Sequence, residues 1–269
     1  MGDHEDRIAK IVDLRKPTVL FRTSALEASS YLGGSPPAFA GFRWPERRGR
    51  SLGFLACIDL GRFSAIPWLP KSGLLLFFYD VEEQPWGFDP RDRGAWAVLY
   101  VPDTTPVSGV APFPKGLGRE CRLPRRDVTF RVASIPPPVD LSPFAGVELS
   151  DADEERMYDA LDALREAEYG DGPKHQIGGY PEPVQGAEMH EECQLASNGI
   201  NVGGLRDDDE ARVQALRAGA SDWRLLLQLD SDEDLKVMWG DCGRIYFWVR
   251  EQDARKRDFS GAWLVLQCH

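Results

Sequence analysis

The chain has 269 residues, 42% of them hydrophobic with 8 Trp and 13 Phe, so it can bury one substantial core. Its formal charge of −11 repels phosphate backbones and argues against nucleic acid as a partner. No apolar run approaches the roughly 18 residues of a membrane helix, and the start, MGDHEDRIAK, lacks the apolar stretch of a signal peptide, so a cytoplasmic protein without a membrane partner is expected.

Ile8, Ile11 and Val12 recur at i, i+3, i+4 and predict a short amphipathic helix over about Glu5–Leu14, ended by Pro17. Thr18–Arg22 has strand composition. The stretch YLGGSPPAFAGFRWP, Tyr31–Pro45, carries a glycine pair and prolines and predicts a shaped loop, with Phe39, Phe42 and Trp44 pinning it to the core. Leu52–Leu60, Leu74–Asp80 and Ala95–Val101 read as strands, the second apolar on both faces as in a central strand.

From Pro102 to Ser150 prolines accumulate. This stretch reads as a connecting or covering segment with one alternating strand candidate, Val128–Ser134. Ser150 and Asp153 form a capping signature for a helix over about Asp151–Glu168, with Met157, Leu161 and Leu164 on one stripe. His175–Gly186 (HQIGGYPEPVQG) is a second Gly-Gly and proline loop, and Asp207–Ala218 predicts another helix. Trp223–Val249 then reads as strand, acidic turn, strand. A helical turn or two follows from Glu251, and Ala262–Cys268 closes as a strand. The cysteines, Cys57, Cys121, Cys193, Cys242 and Cys268, contain no C-x-x-C and are expected to be reduced and mostly buried.

Four elements recur in order. Leu32–Pro36 matches Ile177–Pro181, Phe54–Asp59 matches Leu225–Asp230, Gly73–Phe78 matches Gly243–Trp248, and Gly94–Leu99 matches Gly261–Leu266. Repeats decide architecture, and neither half alone buries a sheet face. The expectation is an α+β fold of mainly antiparallel β structure: two β-rich halves related by internal duplication about a pseudo-twofold axis, with a few covering helices. The whole of 1–269 is expected to form a single domain, with half one over about 31–101, a connection and helix over 102–174, and half two over about 175–269.

The segments LGGSP with Trp44-Pro45, FLACIDL, GLLLFFY, HQIGGYPEPVQG, ECQL, WRLLLQLDSD, WGDCGRIYFWV and AWLVLQC resemble the YwqG-like family (DUF1963), a bacterial domain of unknown function. The resemblance runs from about Tyr31 to the end. It implies no established activity, and some relatives resemble immunity proteins encoded beside secreted toxins.

Candidate chemistry is sparse. His175 with Glu182, Asp230 and Asp241 offers a base and acids, set against a loop histidine that fixes the Gly-Gly turn. No G-x-S-x-G elbow is present. His190 and Cys193 with Glu188 make one metal edge without a second pair, so no metal is expected. Gly33-Gly34 and Gly178-Gly179 lack a nucleotide-binding pattern, so no cofactor is expected and a structural turn is favoured. Asp230–Asp234 lacks the Gly at position six and the Glu at position twelve of a calcium loop.

Two functions follow. The leading one is a non-enzymatic binding or interaction protein, an immunity protein of a toxin system being one form, with a basic toxin or other protein as partner. The alternative is a small-ligand-binding protein or enzyme with a cleft between the halves lined by His175, Trp239, Asp241, Trp44, Gly33, Gly34, Gly178 and Gly179.

Overall fold

Runs that are apolar on both faces need cover on both sides, and the chain supplies it by curling one sheet over itself. The computed structural model describes residues 2–142 and 150–269. The strands are β1 Lys16–Ser24, β2 Tyr31–Leu32, β3 Pro37–Phe39, β4 Glu46–Arg47, β5 Arg50–Ser51, β6 Gly53–Asp59 and β7 Leu74–Tyr79. They continue with β8 Trp96–Val101, β9 Val107–Val110, β10 Arg126–Ile135, β11 His175–Gly178, β12 Trp223–Asp230, β13 Arg244–Arg250 and β14 Trp263–Gln267. The helices are α1 Gly2–Val12, α2 Asp151–Tyr169, α3 Met189–Ser197, α4 Glu210–Arg217 and α5 Glu251–Arg255.

Ten strands form one antiparallel sheet in the order β14-β13-β12-β11-β1-β10-β2-β6-β7-β8. The sheet curls into a nearly closed barrel. Phe77 of β7 meets Phe247 of β13 edge to face at 5.2 Å, and Trp96 of β8 meets Trp263 of β14 at 4.9 Å. The Trp96 indole N–H donates to the Ala262 carbonyl at 2.9 Å. The loop after β7 shields the far edge, where Leu266 donates its amide to Trp86. Closure of this kind removes the open edges that would template aggregation. The α+β, mainly antiparallel expectation holds.

Both ends of the sheet place one short strand beside three longer ones, β2-β6-β7-β8 and β11-β12-β13-β14. Their pairing carries a bulge at matching places, between Phe54 and Ala56 and between Leu225 and Leu227. The last strands differ by one register step. Trp96 pairs with Tyr79, but Trp263 pairs with Trp248, whose counterpart Phe78 pairs with Ala97. The two ends are joined crosswise: β1 pairs with β11, β10 pairs with β2, and β1 and β10 pair with each other.

Two local expectations are corrected here, and one helix is added. The proline-rich connection holds β10, which lies at the middle of the sheet; Val128 is buried on one face and Ala133 and Ile135 on the other, while Val132 is exposed. The segment after Gly186 is helical, because Met189, Cys193 and Ala196 fall on one buried stripe. His175–Gly178 is a strand, too short for periodicity to reveal. The Pro102–Ser150 reading also covers residues 143–149, which lie outside the described residues.

Helices α1 and α2 behave as read. The Ser150 hydroxyl accepts from the Asp153 amide and caps α2. Met157 and Leu161 of α2 pack with Ile11 of α1 and Val139. Ile11 is fully buried, a gain of about 2 kcal/mol.

The outer faces of the two ends are covered by different means. Over β6–β8, Tyr31, Cys57 and Leu76 lie side by side across three strands. The loop after β2 lays Phe39, Phe42 and Trp44 on this apolar surface, with Trp44 5.8 Å from Phe78 and its indole N–H on the Leu52 carbonyl. Over β12–β14, the same positions hold Gln176, Gln228 and Tyr246.

Here the loop after β11 is bound by hydrogen bonds. Gln228 accepts from the Glu182 amide at 2.9 Å and donates to the Lys174 carbonyl at 2.7 Å. Gln267 accepts from the amides of Val184 and Gln185 and donates to Gly186. Tyr246 and Arg244 both donate to the Glu182 carbonyl. The Glu182 carboxylate bridges buried Arg165 and Lys174. Burial works against this carboxylate, yet the two cations hold it below the usual range.

Candidate functional site

The sequence candidates are placed as follows. His175 is buried, stacked on Phe21 at 5.3 Å. Its Nδ1 accepts from the Asp230 amide at 3.1 Å, so the ring hydrogen sits on Nε2, 3.0 Å from Asp232. Burial opposes ionisation of Asp232, but the His175 hydrogen bond leads the interactions that pull it below the usual carboxylate range. Trp239 is buried beside the same residue, donating Nε1 to the Asp230 carbonyl and packing edge-on against Tyr79. The structure therefore brings His175 and Trp239 together around Asp230, with His175 held by the Asp230 amide and the Asp232 carboxylate and Trp239 by the Asp230 carbonyl.

The others lie elsewhere. Asp241 is exposed and accepts the His269 amide through its carbonyl. Trp44 belongs to the aromatic cover of the opposite end. Gly33-Gly34 and Gly178-Gly179 all adopt positive φ, from 60° to 73°. A Cβ on Gly33 would stand 2.3 Å from the Pro124 carbonyl, and one on Gly179 2.0 Å from the Thr18 hydroxyl. Gly33-Gly34 turns the chain tightly against the segment leading into β10, and Gly179 against β1. Glu182 sits inside the loop network described above, and Cys193 is buried in the core while His190 of the same helix turns away from it. Among the described residues no three His, Cys, Asp or Glu side chains gather as a metal set.

A different place gathers chemistry. Where β12 begins, the Gly179–Pro181 turn, the start of β1, the first turn of α3 and the end of β13 enclose a cleft of about 270 Å³. Its walls include Tyr180, Trp223 and Trp248, and its polar groups are Lys16, His190, Ser221 and Arg224. The Lys16 ammonium sits 3.9 Å over the Tyr180 ring. Arg224 is steered by the Ser221 and Trp223 carbonyls and by Glu251 at 2.9 Å. Partial burial, and then the Arg224 charge, draw Lys16 below its ordinary value. Burial likewise lowers His190.

The walls are firmly set. Trp223 donates to Gln194 at 2.9 Å and lies under the Arg250 guanidinium. Gln176 binds the Gly178 and Tyr180 carbonyls and so fixes the turn that carries Tyr180. Trp248 is buried beside the His190 ring, and its indole N–H has no partner.

Sequence reasoning named Gly179 and His190 but missed Lys16, Tyr180, Arg224 and Trp248. These come from four separate segments, and no spacing links them.

No helix among the described residues is long and apolar enough to cross a membrane. No curated protein matches the chain. The order of Gly-Gly turns and strands has nevertheless been met before: a family model matches residues 30–268, and the chain belongs to the family described as Domain of unknown function (DUF1963).

Proposed function

We propose that this chain is a cytoplasmic binding protein without catalytic activity, and that its binding site is the Lys16–Arg224 cleft. One observation carries the reading. A concave site with three aromatic walls and convergent polar groups is the usual form of a small-molecule pocket. The absence of catalysis is supported by His175, the best acid-base candidate in the sequence, which is sealed with both ring nitrogens engaged.

The site differs from the cleft expected between the halves: of the eight residues expected there, only Gly179 lines it. The shared strand order and bulge support reading the two ends as copies of one unit, with the cleft belonging to the second copy alone. The test is a thermal-shift screen of small metabolites on the full chain and on Ser221→Trp, which places bulk at the mouth. Hits that stabilise both proteins equally would remove the cleft from consideration.

A second reading is favoured by α2. Asp151, Glu154, Glu155, Asp159, Asp162 and Glu166 are all exposed on this helix, against the single exposed base Arg156. Such a face suits a basic protein, including a toxin neutralised by an immunity protein. Association should slow several-fold when Glu154, Glu155 and Asp159 are changed to Gln, and faster dissociation alone would point to another surface.

A further inference from the structure

We infer that the occupant of the cleft is a small organic anion, a carboxylate or phosphate ester carried on a flat apolar body. This rests on the cleft being a binding site. Among the described residues the lining holds Lys16, Arg224 and His190 and no Asp or Glu, in a chain whose formal charge is −11. Arg224 shares its charge with Glu251, while Lys16 has no carboxylate partner among the described residues and lies over the face of Tyr180. Two like charges held together in a partly desolvated place repel one another, and an anion between them relieves that repulsion.

The apolar body is read from the walls. Tyr180, Trp223 and Trp248 present rings to a space near the lower end of small-molecule pockets, roughly 300–1,000 Å³, so one ring or a short chain fits beside the acid group. The two tryptophans differ in a way that packing alone does not require. Trp223 has its indole N–H paired with Gln194, whereas Trp248 keeps a buried N–H with no acceptor. A buried orphan donor is costly, about 1–3 kcal/mol, and this one belongs to a residue of the cleft wall.

The experiment titrates the full chain with phenylacetate, phenyl phosphate and the neutral isostere phenylacetamide, reading tryptophan fluorescence and heat. The two anions carry the same ring, so their affinity ratio separates a carboxylate from a phosphate source. At least one anion is expected to bind tenfold or more tightly than the amide. Lys16→Gln is expected to abolish that preference, bringing both anions to the affinity of the amide. If the amide binds as tightly as both anions, or Lys16→Gln leaves the preference intact, the anion assignment is overturned and the cleft stands. If none of the three saturates either signal, the binding-site reading falls with it.

Discussion

The outer surface of β6–β8 is Tyr31, Cys57 and Leu76 under a lid of phenyl and indole rings. At the same positions on β12–β14 stand Gln176, Gln228 and Tyr246 under a loop tied down atom by atom. Rings on an apolar surface are held by area, which is non-directional and tolerates small shifts. Side-chain amides inside the fold are directional, and each demands its partner. The first cover is adaptable, whereas the second fixes the Tyr180 turn in one position. That fixed turn forms a wall of the cleft.

The contrast is broken most severely at Arg165, which holds the Glu182 carboxylate and the Pro136 and Pro181 carbonyls. Arg165→Met leaves these groups buried without their cation and should cost about 4 kcal/mol in urea unfolding. A loss below about 1 kcal/mol would mean that the loop is held by something other than its polar network.

Gln228→Leu gives the second surface an apolar residue like those of the first. The Glu182 amide and the Lys174 carbonyl lose their partner, so destabilisation of about 3 kcal/mol is expected. Equal stability of this variant would show that an apolar floor serves both covers.

Helix α3, which packs on β12 and β14, adds a pH-dependent element. Burial, and then the Glu188 carboxylate, push Glu192 from its ordinary 4.5 up to about 7, and its Oε2 has no partner. The folded chain keeps this proton where the unfolded chain has lost it. The contribution is therefore complete below about 4.5 and declines as pH rises through 7. Glu192→Gln should stabilise the fold by about 2 kcal/mol at pH 8 and leave it unchanged at pH 4. Melting curves at the two pH values decide the matter, and equal gains at both would exclude the titration.

The smallest effect belongs to the first cover. Trp44→Phe loses the bond to the Leu52 carbonyl but keeps a ring on the surface, so about 1 kcal/mol is expected by chemical denaturation. A cost as large as that of Gln228→Leu would erase the distinction between the two covers.

The strands were legible because apolar runs such as Leu74–Tyr79 and Trp263–Gln267 need cover on both faces, and the turns because paired glycines mark positive φ. The crosswise joining of β1 and β10 was not legible. It depends on partners more than a hundred residues away, and β10 reads as polar because Arg126, Asp127, Thr129, Arg131 and Ser134 interrupt its apolar residues. Among the candidate residues, His175 and Trp239 look chemical in sequence and prove to be fixtures around the Asp230 peptide. The cleft escaped notice because its members share no motif. Lys16 reads as an ordinary residue before a strand, and the orphan donor of Trp248 exists only once its neighbours are in place.

The crosswise joining also bears on how the chain is made. Val19, Leu20 and Phe21 of β1 are buried only when β10 and β11 flank them, and Phe21 waits for His175. At roughly 5–20 residues per second, a ribosome needs about 8–30 s to synthesise the chain between these two positions. Throughout that time this apolar strand lacks at least one of its two neighbours. Ribosome-associated holding factors, and slow or concentration-dependent refolding from denaturant, follow from placing the first strand at the centre of the sheet.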